Sequence, residues 1–259
     1  MAAAHLGIPI LIHESDVVVG AANRVAARHA LFVLTGFPKS YYAHEPFADK
    51  VIYTGIPVRD SLGGSPSHYL KTIRFDPKRK TILVMGGSQG AQRINQIVGK
   101  SLTRLLEDFQ IIHLTGTQDL AHASFRRAQL SLYLRLRYHV AGFLKRDFPE
   151  VLAAADLVIA RAGASTLAEL AIAQKPAILM PLASAAAGHQ LKNAEVFAQA
   201  GAAVILDDHQ VTQAEFVATV KKLLSSEYRL KQMANKMSLL GKPDATEHSV
   251  KIILEVLGV

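Results

Sequence analysis

Two turns made of small residues have the chemistry to hold a phosphate with main-chain atoms. Thr81-Ile82-Leu83-Val84-Met85 reads as a buried strand and runs into Gly86-Gly87-Ser88-Gln89-Gly90-Ala91, after which the pattern becomes helical. Glycine lets the backbone approach a ligand closely, and a helix N-terminus offers unpaired N–H groups and the positive end of its dipole. Ser88 adds a hydroxyl; the alternative is an ordinary strand-to-helix turn with Ser88 as its N-cap. The second turn, Arg161-Ala162-Gly163-Ala164-Ser165-Thr166-Leu167-Ala168-Glu169, follows the strand-like Leu157-Val158-Ile159-Ala160. Thr166 and Glu169 have the spacing of a capping box, in which both would serve only the helix start. The functional alternative has the Glu169 carboxylate accepting two hydrogen bonds from a ribose diol while the turn amides face phosphates. Two such turns at the carboxyl ends of strands in one sheet favour a nucleotide at that edge. The first turn is not G-x-G-x-x-G and no acidic residue is placed for an adenosine ribose, which disfavours a dehydrogenase.

Three weaker signals accompany them. Gly188-His189-Gln190, with Asn193 beyond, opens another helical stretch, and Gln190 can donate and accept hydrogen bonds to sugar hydroxyls. His13-Glu14-Ser15-Asp16, followed by Gly20 and Asn23-Arg24, invites a zinc-protease reading, but Val17 stands where H-E-x-x-H needs its second histidine. Asp16 also reads as a helix N-cap. Tyr53-Thr54-Gly55-Ile56-Pro57-Val58-Arg59 places an arginine just past a strand, where it could pair with a diphosphate.

The elements that must position these residues alternate. Apolar strands are expected at 9–12, 30–34, 50–53, 81–85, 110–114, 157–160, 177–180 and 203–206. Helices are expected at 21–30, 91–109, 148–154, 165–173, 190–199 and 213–225, with a terminal amphipathic helix at 245–257. This βαβ alternation predicts a parallel sheet with helices on both faces. Ser61-Leu62-Gly63-Gly64-Ser65-Pro66-Ser67 is the best linker candidate. The region after it is long enough for a complete doubly wound domain, whereas the sixty-odd residues before it fall short of one. The chain opens on what reads as the last turn of a helix and then a buried strand, so an upstream segment is expected.

Composition sets outer limits. Half of the 259 residues are hydrophobic and 19% are charged, which predicts a sizeable core. The absence of cysteine excludes disulfides, thiolate-zinc sites and a cysteine nucleophile. A formal charge of +8 favours anionic partners such as nucleotides or phospholipid headgroups. The basic clusters Lys78-Arg79-Lys80, Arg126-Arg127 and Arg135/Arg137 lack the aromatic interleaving of a nucleic-acid platform, so no nucleic-acid partner is expected. No apolar run reaches the roughly 18–20 residues of a membrane span, and no signal-peptide layout opens the chain.

The order of the motifs is more specific than any one of them. His13-Glu14-Ser15-Asp16…Ala22-Asn23-Arg24, Thr54-Gly55-Ile56-Pro57-Val58-Arg59, Gly86-Gly87-Ser88-Gln89-Gly90-Ala91, Arg161-Ala162-Gly163-Ala164-Ser165-Thr166…Glu169 and His189-Gln190…Asn193-Ala194 together resemble the MurG family of glycosyltransferases. The resemblance runs from about Ala2 to Ile205. It implies the GT-B fold, here an α/β chain with a complete C-terminal Rossmann-like domain on a parallel sheet and a partial N-terminal Rossmann-like domain. The corresponding division is 1–66 for the acceptor side, 67–244 for UDP-GlcNAc binding, and 245–259 as a terminal helix taken to pack back on the N-terminal domain.

The resemblance also implies an activity: inverting transfer of GlcNAc from UDP-GlcNAc to an undecaprenyl-pyrophosphoryl-MurNAc-peptide acceptor, lipid I to lipid II, with neither cofactor nor obligatory metal. It implies a cytoplasmic protein peripheral on the anionic inner face of the cell membrane. Carried across by motif, Ser88 contacts the nucleotide diphosphate and the Phe143-Leu144 backbone reads uracil. Ala164, Ser165, Thr166, Leu167, Ala168 and Glu169 surround the phosphates and ribose, with Glu169 on the ribose hydroxyls. Gln190 contacts GlcNAc, Arg59 lies near the donor at the domain junction, and Asp16 lies by the donor sugar and acceptor, where many members carry asparagine. The family's opening G-G-T-G-G-H loop, with its candidate catalytic histidine, has no counterpart in these residues, so the catalytic group is unassigned. A truncated nucleotide-sugar binder without activity, or another GT-B enzyme such as a UDP-GlcNAc epimerase, are the competing readings.

Overall fold

The computed structural model describes residues 2–59, 62, 66–86, 91–182 and 188–259; Ser88, most of the expected linker and residues 183–187 lie outside the described residues. The first part of the chain contains α1 (Ala2–His5), β1 (Leu11–Glu14), α2 (Ala21–Ala26), β2 (Phe32–Thr35) and β3 (Val51–Tyr53). It continues through α3 (Pro66–Thr72), β4 (Thr81–Met85), α4 (Gln92–Leu106), β5 (Gln110–Leu114), α5 (Leu120–Gln129), α6 (Leu132–Arg135), β6 (Tyr138–Ala141) and α7 (Phe148–Ala154). Last come β7 (Leu157–Ala160), α8 (Ala164–Ile172), β8 (Ala177–Leu179), α9 (His189–Gln199), β9 (Ala203–Ile205), α10 (Gln213–Leu224), α11 (Glu227–Ser238) and α12 (Ala245–Leu257).

Among the described residues the strands form two wholly parallel sheets, β1-β2-β3 and β6-β5-β4-β7-β8-β9. The chain reverses its direction of growth between β6 and β7, which places the switch point at β4. All five residues of β4 and of β5 are buried, as two-sided coverage by helices requires. Their side chains alternate between two apolar clusters. Leu83, Ile112 and Val158 face one that continues through Val33 and Val51 of the first sheet and Phe37 just past β2. Ile82, Val84, Ile111 and Ile159 face the other, filled by α4 and α10. Helix α4 meets that cluster with Ile94, Val98, Leu102 and Leu105, a spacing of three and four that holds one face of a helix.

The two sheets are therefore joined by a common apolar layer, with Phe37 set edge-on to Phe197 of α9 at 6.5 Å. The segment between α11 and α12 also returns to the first sheet. Gly55 has φ +83°, and a Cβ there would stand 2.4 Å from Lys242 Cβ, so only glycine allows this approach. The expected strands and parallel pairing are present. Three elements between Leu114 and Phe148 were not expected from the sequence: α5, α6 and the edge strand β6. Strand β6 has one fully buried residue, Tyr138, so it lacks the apolar run that marks its neighbours.

Candidate functional site

The sheet register builds the site. Met85 pairs with Leu114 on one side and with Ala160 on the other, and Leu114 pairs with Ala141. The last residues of β4, β5, β6 and β7 thus stand in one row, and the chain leaves all four strands at the same edge. Gly86, Gly116 and Gly142 follow β4, β5 and β6 there, and Gly116 has φ +77°. Small residues keep the edge open, and its floor is main chain.

A cavity of about 150 Å³ lies above this row, lined among others by Arg59, Gly86, Phe143, Leu144, Thr166 and Glu169. Five segments far apart in sequence converge on it. Helix α8 points its start at this edge with Gly163 as N-cap and no side-chain cap. The Leu167 amide is the first to bond back, to the Gly163 carbonyl at 3.0 Å, so the amides of Ala164, Ser165 and Thr166 have no partner within the helix. Because the helix begins at Ala164, Thr166 is not its N-cap and the capping-box reading of Thr166 and Glu169 fails.

Glu169 instead faces across the cavity: Arg59 Nε donates to Glu169 Oε1 at 3.1 Å. The Arg59 guanidinium also lies over the Phe148 ring, 5.0 Å from its centre. Burial pushes the Glu169 carboxyl above its ordinary pKa, and Arg59 only partly offsets this. Phe148 carried no sequence signal; it is a buried ring at the start of α7 that supports the arginine.

The two sides of α8 serve different spaces. Thr166 and Glu169 line the cavity at the sheet edge, whereas Ala164, Leu167 and Ala168 line a second one of about 350 Å³ beside Phe37, Tyr53 and Phe197. Leu167 and Ala164 are buried, so toward the first cavity they can offer main-chain groups only. Ser165 and Phe143 are exposed.

Asp16 and Gln190 are not among the residues that line the cavity at the sheet edge; Asp16 stands just past β1 of the first sheet, and its motif explains its placement. Glu14 is buried, and its carboxylate accepts from the amides of Asp16 at 3.0 Å and Gly20 at 2.8 Å and from Asn23 Nδ2 at 3.0 Å. His13 reaches the Gly55 carbonyl at 2.9 Å and Ser15 Oγ at 3.1 Å. His13, Glu14 and Asn23 are thus the scaffold of a turn that displays Asp16. Helix α2 starts at Ala21 with Gly20 as N-cap, so Asp16 is not a cap. The Asp16 carboxylate meets α9: Oδ1 accepts from Asn193 Nδ2 at 2.7 Å, and Oδ2 lies 3.2 Å from His189 Nδ1. In the sequence Asn193 and His189 stand only as parts of a motif; the structure makes them Asp16's partners. Gln190, one residue along α9, holds the Leu182 amide at 3.0 Å.

Among the described residues no group of three His, Asp or Glu is placed to hold a metal ion. No helix of the described residues is long and apolar enough to cross a membrane.

Two Rossmann-like parallel sheets, with a pocket at the carboxyl edge of the second beside its switch point, define a GT-B α/β protein. Residues 81–249 match the glycosyltransferase family 28 C-terminal domain. Over 265 residues the chain is 34% identical to the UDP-N-acetylglucosamine–N-acetylmuramyl-(pentapeptide) pyrophosphoryl-undecaprenol N-acetylglucosamine transferase of Desulforamulus reducens, covering 99% of this chain and 70% of that protein. The crystal structure of Acinetobacter baumannii MurG superposes with a TM-score of 0.76 at 32% identity, over 98% of this chain and 70% of that one. A UDP-GlcNAc 2-epimerase from Neisseria meningitidis, bound to UDP-GlcNAc, shares the fold with a TM-score of 0.71 at 17% identity, over 98% of this chain and 72% of that one. The chain belongs to the MurG family of glycosyltransferases.

Proposed function

We propose that this chain takes UDP-GlcNAc at the carboxyl edge of its six-stranded sheet and transfers GlcNAc to a lipid-linked muramyl-peptide, lipid I to lipid II. The observation that carries the reading is the convergence of Arg59, Gly86, Leu144, Thr166 and Glu169 on one cavity beside the uncapped start of α8. Uracil lies against the Phe143-Leu144 main chain, and Glu169 accepts from the ribose diol. The diphosphate sits at the amides of Ala164 to Thr166 and at the turn containing Ser88. Gln190 and Asp16 flank the sugar, where the first sheet meets α9. The division into an acceptor-side unit (1–66), a donor-binding unit (67–244) and a returning helix (245–259) belongs to the same proposal.

The chemistry follows from the charges. As the acceptor hydroxyl attacks the anomeric carbon with inversion, its proton leaves to a base and UDP departs with developing negative charge. Unpaired helix amides and Arg59 stabilise that charge where it forms. The acceptor's lipid and the net charge of +8 support a peripheral position on an anionic membrane face at the cytoplasmic side.

Calorimetry with UDP and UDP-GlcNAc tests the donor site. Glu169→Ala and Ser88→Ala should each weaken both ligands by about tenfold or more, the scale of a lost hydrogen bond to a charged group. Equal affinity in the wild-type protein and both variants overturns the assignment.

A further inference from the structure

We propose that Arg59 makes the pocket selective for a phosphorylated nucleoside, by holding Glu169 until a diphosphate draws it away. The inference rests on the donor-site reading above and adds to it a reason why nucleosides are refused. Glu169, the residue positioned for a ribose diol, already has a partner in Arg59 Nε at 3.1 Å. The guanidinium is braced on Phe148, at 5.0 Å from the ring centre, so the pair is held from two sides. All three residues line the same cavity, whose volume of about 150 Å³ is below the roughly 300–1,000 Å³ of ordinary ligand pockets.

A carboxylate in this half-buried setting must keep a donor, because an unpaired one is costly. A ribose diol supplies two hydrogen bonds but no charge. A nucleoside that takes Glu169 therefore leaves Arg59 without its anion, and the exchange is unfavourable. A nucleoside diphosphate brings its own anions to the start of α8, where Thr166 lines the same cavity as Arg59, and Arg59 re-pairs with them through its planar fork. The diol then occupies Glu169 with no ion pair lost. The same arginine opposes the wrong ligand and attracts the right one, which is how specificity arises from repulsion as well as contact.

The prediction has opposite signs for two ligands. Arg59→Ala should weaken UDP binding about tenfold or more, the loss of a charge-assisted contact. It should tighten uridine binding about two- to fivefold, the worth of a half-exposed ion pair. Arg59→Met keeps an unbranched apolar chain beside Phe148 without the guanidinium charge and should behave alike, which separates the charge from packing. In the wild-type protein, added salt should weaken UDP and slightly strengthen uridine. Calorimetry for UDP and ligand-observed NMR for uridine read both. Uridine affinity that is unchanged or weaker in both variants, or UDP affinity unchanged in both, overturns the proposal while leaving the donor site standing. Failure of the wild-type protein to bind UDP at all removes the donor site and this inference together.

Discussion

The carboxyl edges of the two sheets are built by opposite means. In the six-stranded sheet, β4, β5 and β7 are buried throughout and simply stop in register, so glycines and helix ends deliver main-chain groups to the cavity. In the three-stranded sheet, β1 is only half-buried over Leu11, Ile12 and His13, and its edge is shaped by side chains bonded to nearby main-chain groups and to one another. Apolar packing fixes the six-stranded edge. A buried carboxylate, Glu14, fixes the three-stranded one. The six-stranded edge should therefore tolerate any exchange that preserves size and core, whereas the three-stranded edge should depend on a few polar atoms.

The largest effect tests the packing half of that contrast. Leu83 is fully buried at the centre of β4, in the cluster shared by both sheets. Leu83→Ala should lower stability by about 2–5 kcal/mol through lost transfer energy and a residual cavity. Ile12→Ala on the half-buried β1 should cost less than half as much in the same urea titration. Equal losses would mean that the first sheet is packed as tightly as the second, and the contrast fails.

Next in size is the polar half. Glu14→Gln keeps the shape but replaces an ion accepting three N–H bonds by a neutral amide. It should cost about 1.5–3 kcal/mol, the value of hydrogen bonds to a charged group. The damage should be local: NMR shifts of Asp16, Gly20 and Asn23 should move while UDP affinity stays as in the wild-type protein. A drop in UDP affinity equal to that of Glu169→Ala would show that the two edges do not stand independently.

This division also explains what the sequence disclosed. The strands of the second sheet were legible because two-sided burial leaves continuous runs such as Thr81-Ile82-Leu83-Val84-Met85 and Leu157-Val158-Ile159-Ala160. Edge strand β6 was not, since Tyr138-His139-Val140-Ala141 buries a single side chain completely. Arg59, Phe143, Leu144, Thr166 and Glu169 were legible as a set only through the ordered resemblance. Taken singly, the Thr166–Glu169 spacing suggested a cap, and it took the helix start at Ala164 to exclude that. The Arg59–Glu169 pair and the support from Phe148 were out of reach, because they join residues about a hundred positions apart with no shared pattern. For Asp16 the motif named the residue but hid its partners: Asn193 and His189 lie more than 170 positions away.

Asn193 is where the two edges meet, and replacing it gives the smallest change in global stability but the most specific one. Its side chain is fully buried; Oδ1 accepts from the Val17 amide at 2.9 Å, and Nδ2 donates to Asp16 Oδ1 at 2.7 Å and to the Ala162 carbonyl at 3.3 Å. One amide thus ties the first sheet's turn, the start of α9 and the turn after β7 into a single joint. Asn193→Ala should cost about 1–2 kcal/mol, since it leaves the Val17 amide and the Ala162 carbonyl without their partner while the half-buried Asp16 carboxylate keeps some water. Hydrogen exchange at the Val17 amide should accelerate about tenfold or more while β4 amides keep their protection, because the opening is local. Asn193→Asp sets two carboxylates face to face and should open the joint further; adding Asp16→Asn restores a donor opposite an acceptor and should recover most of the protection. If the double variant exchanges as fast as the single one, the joint is held by the shared apolar layer around Phe37 and Phe197, and packing governs the first edge as it does the second.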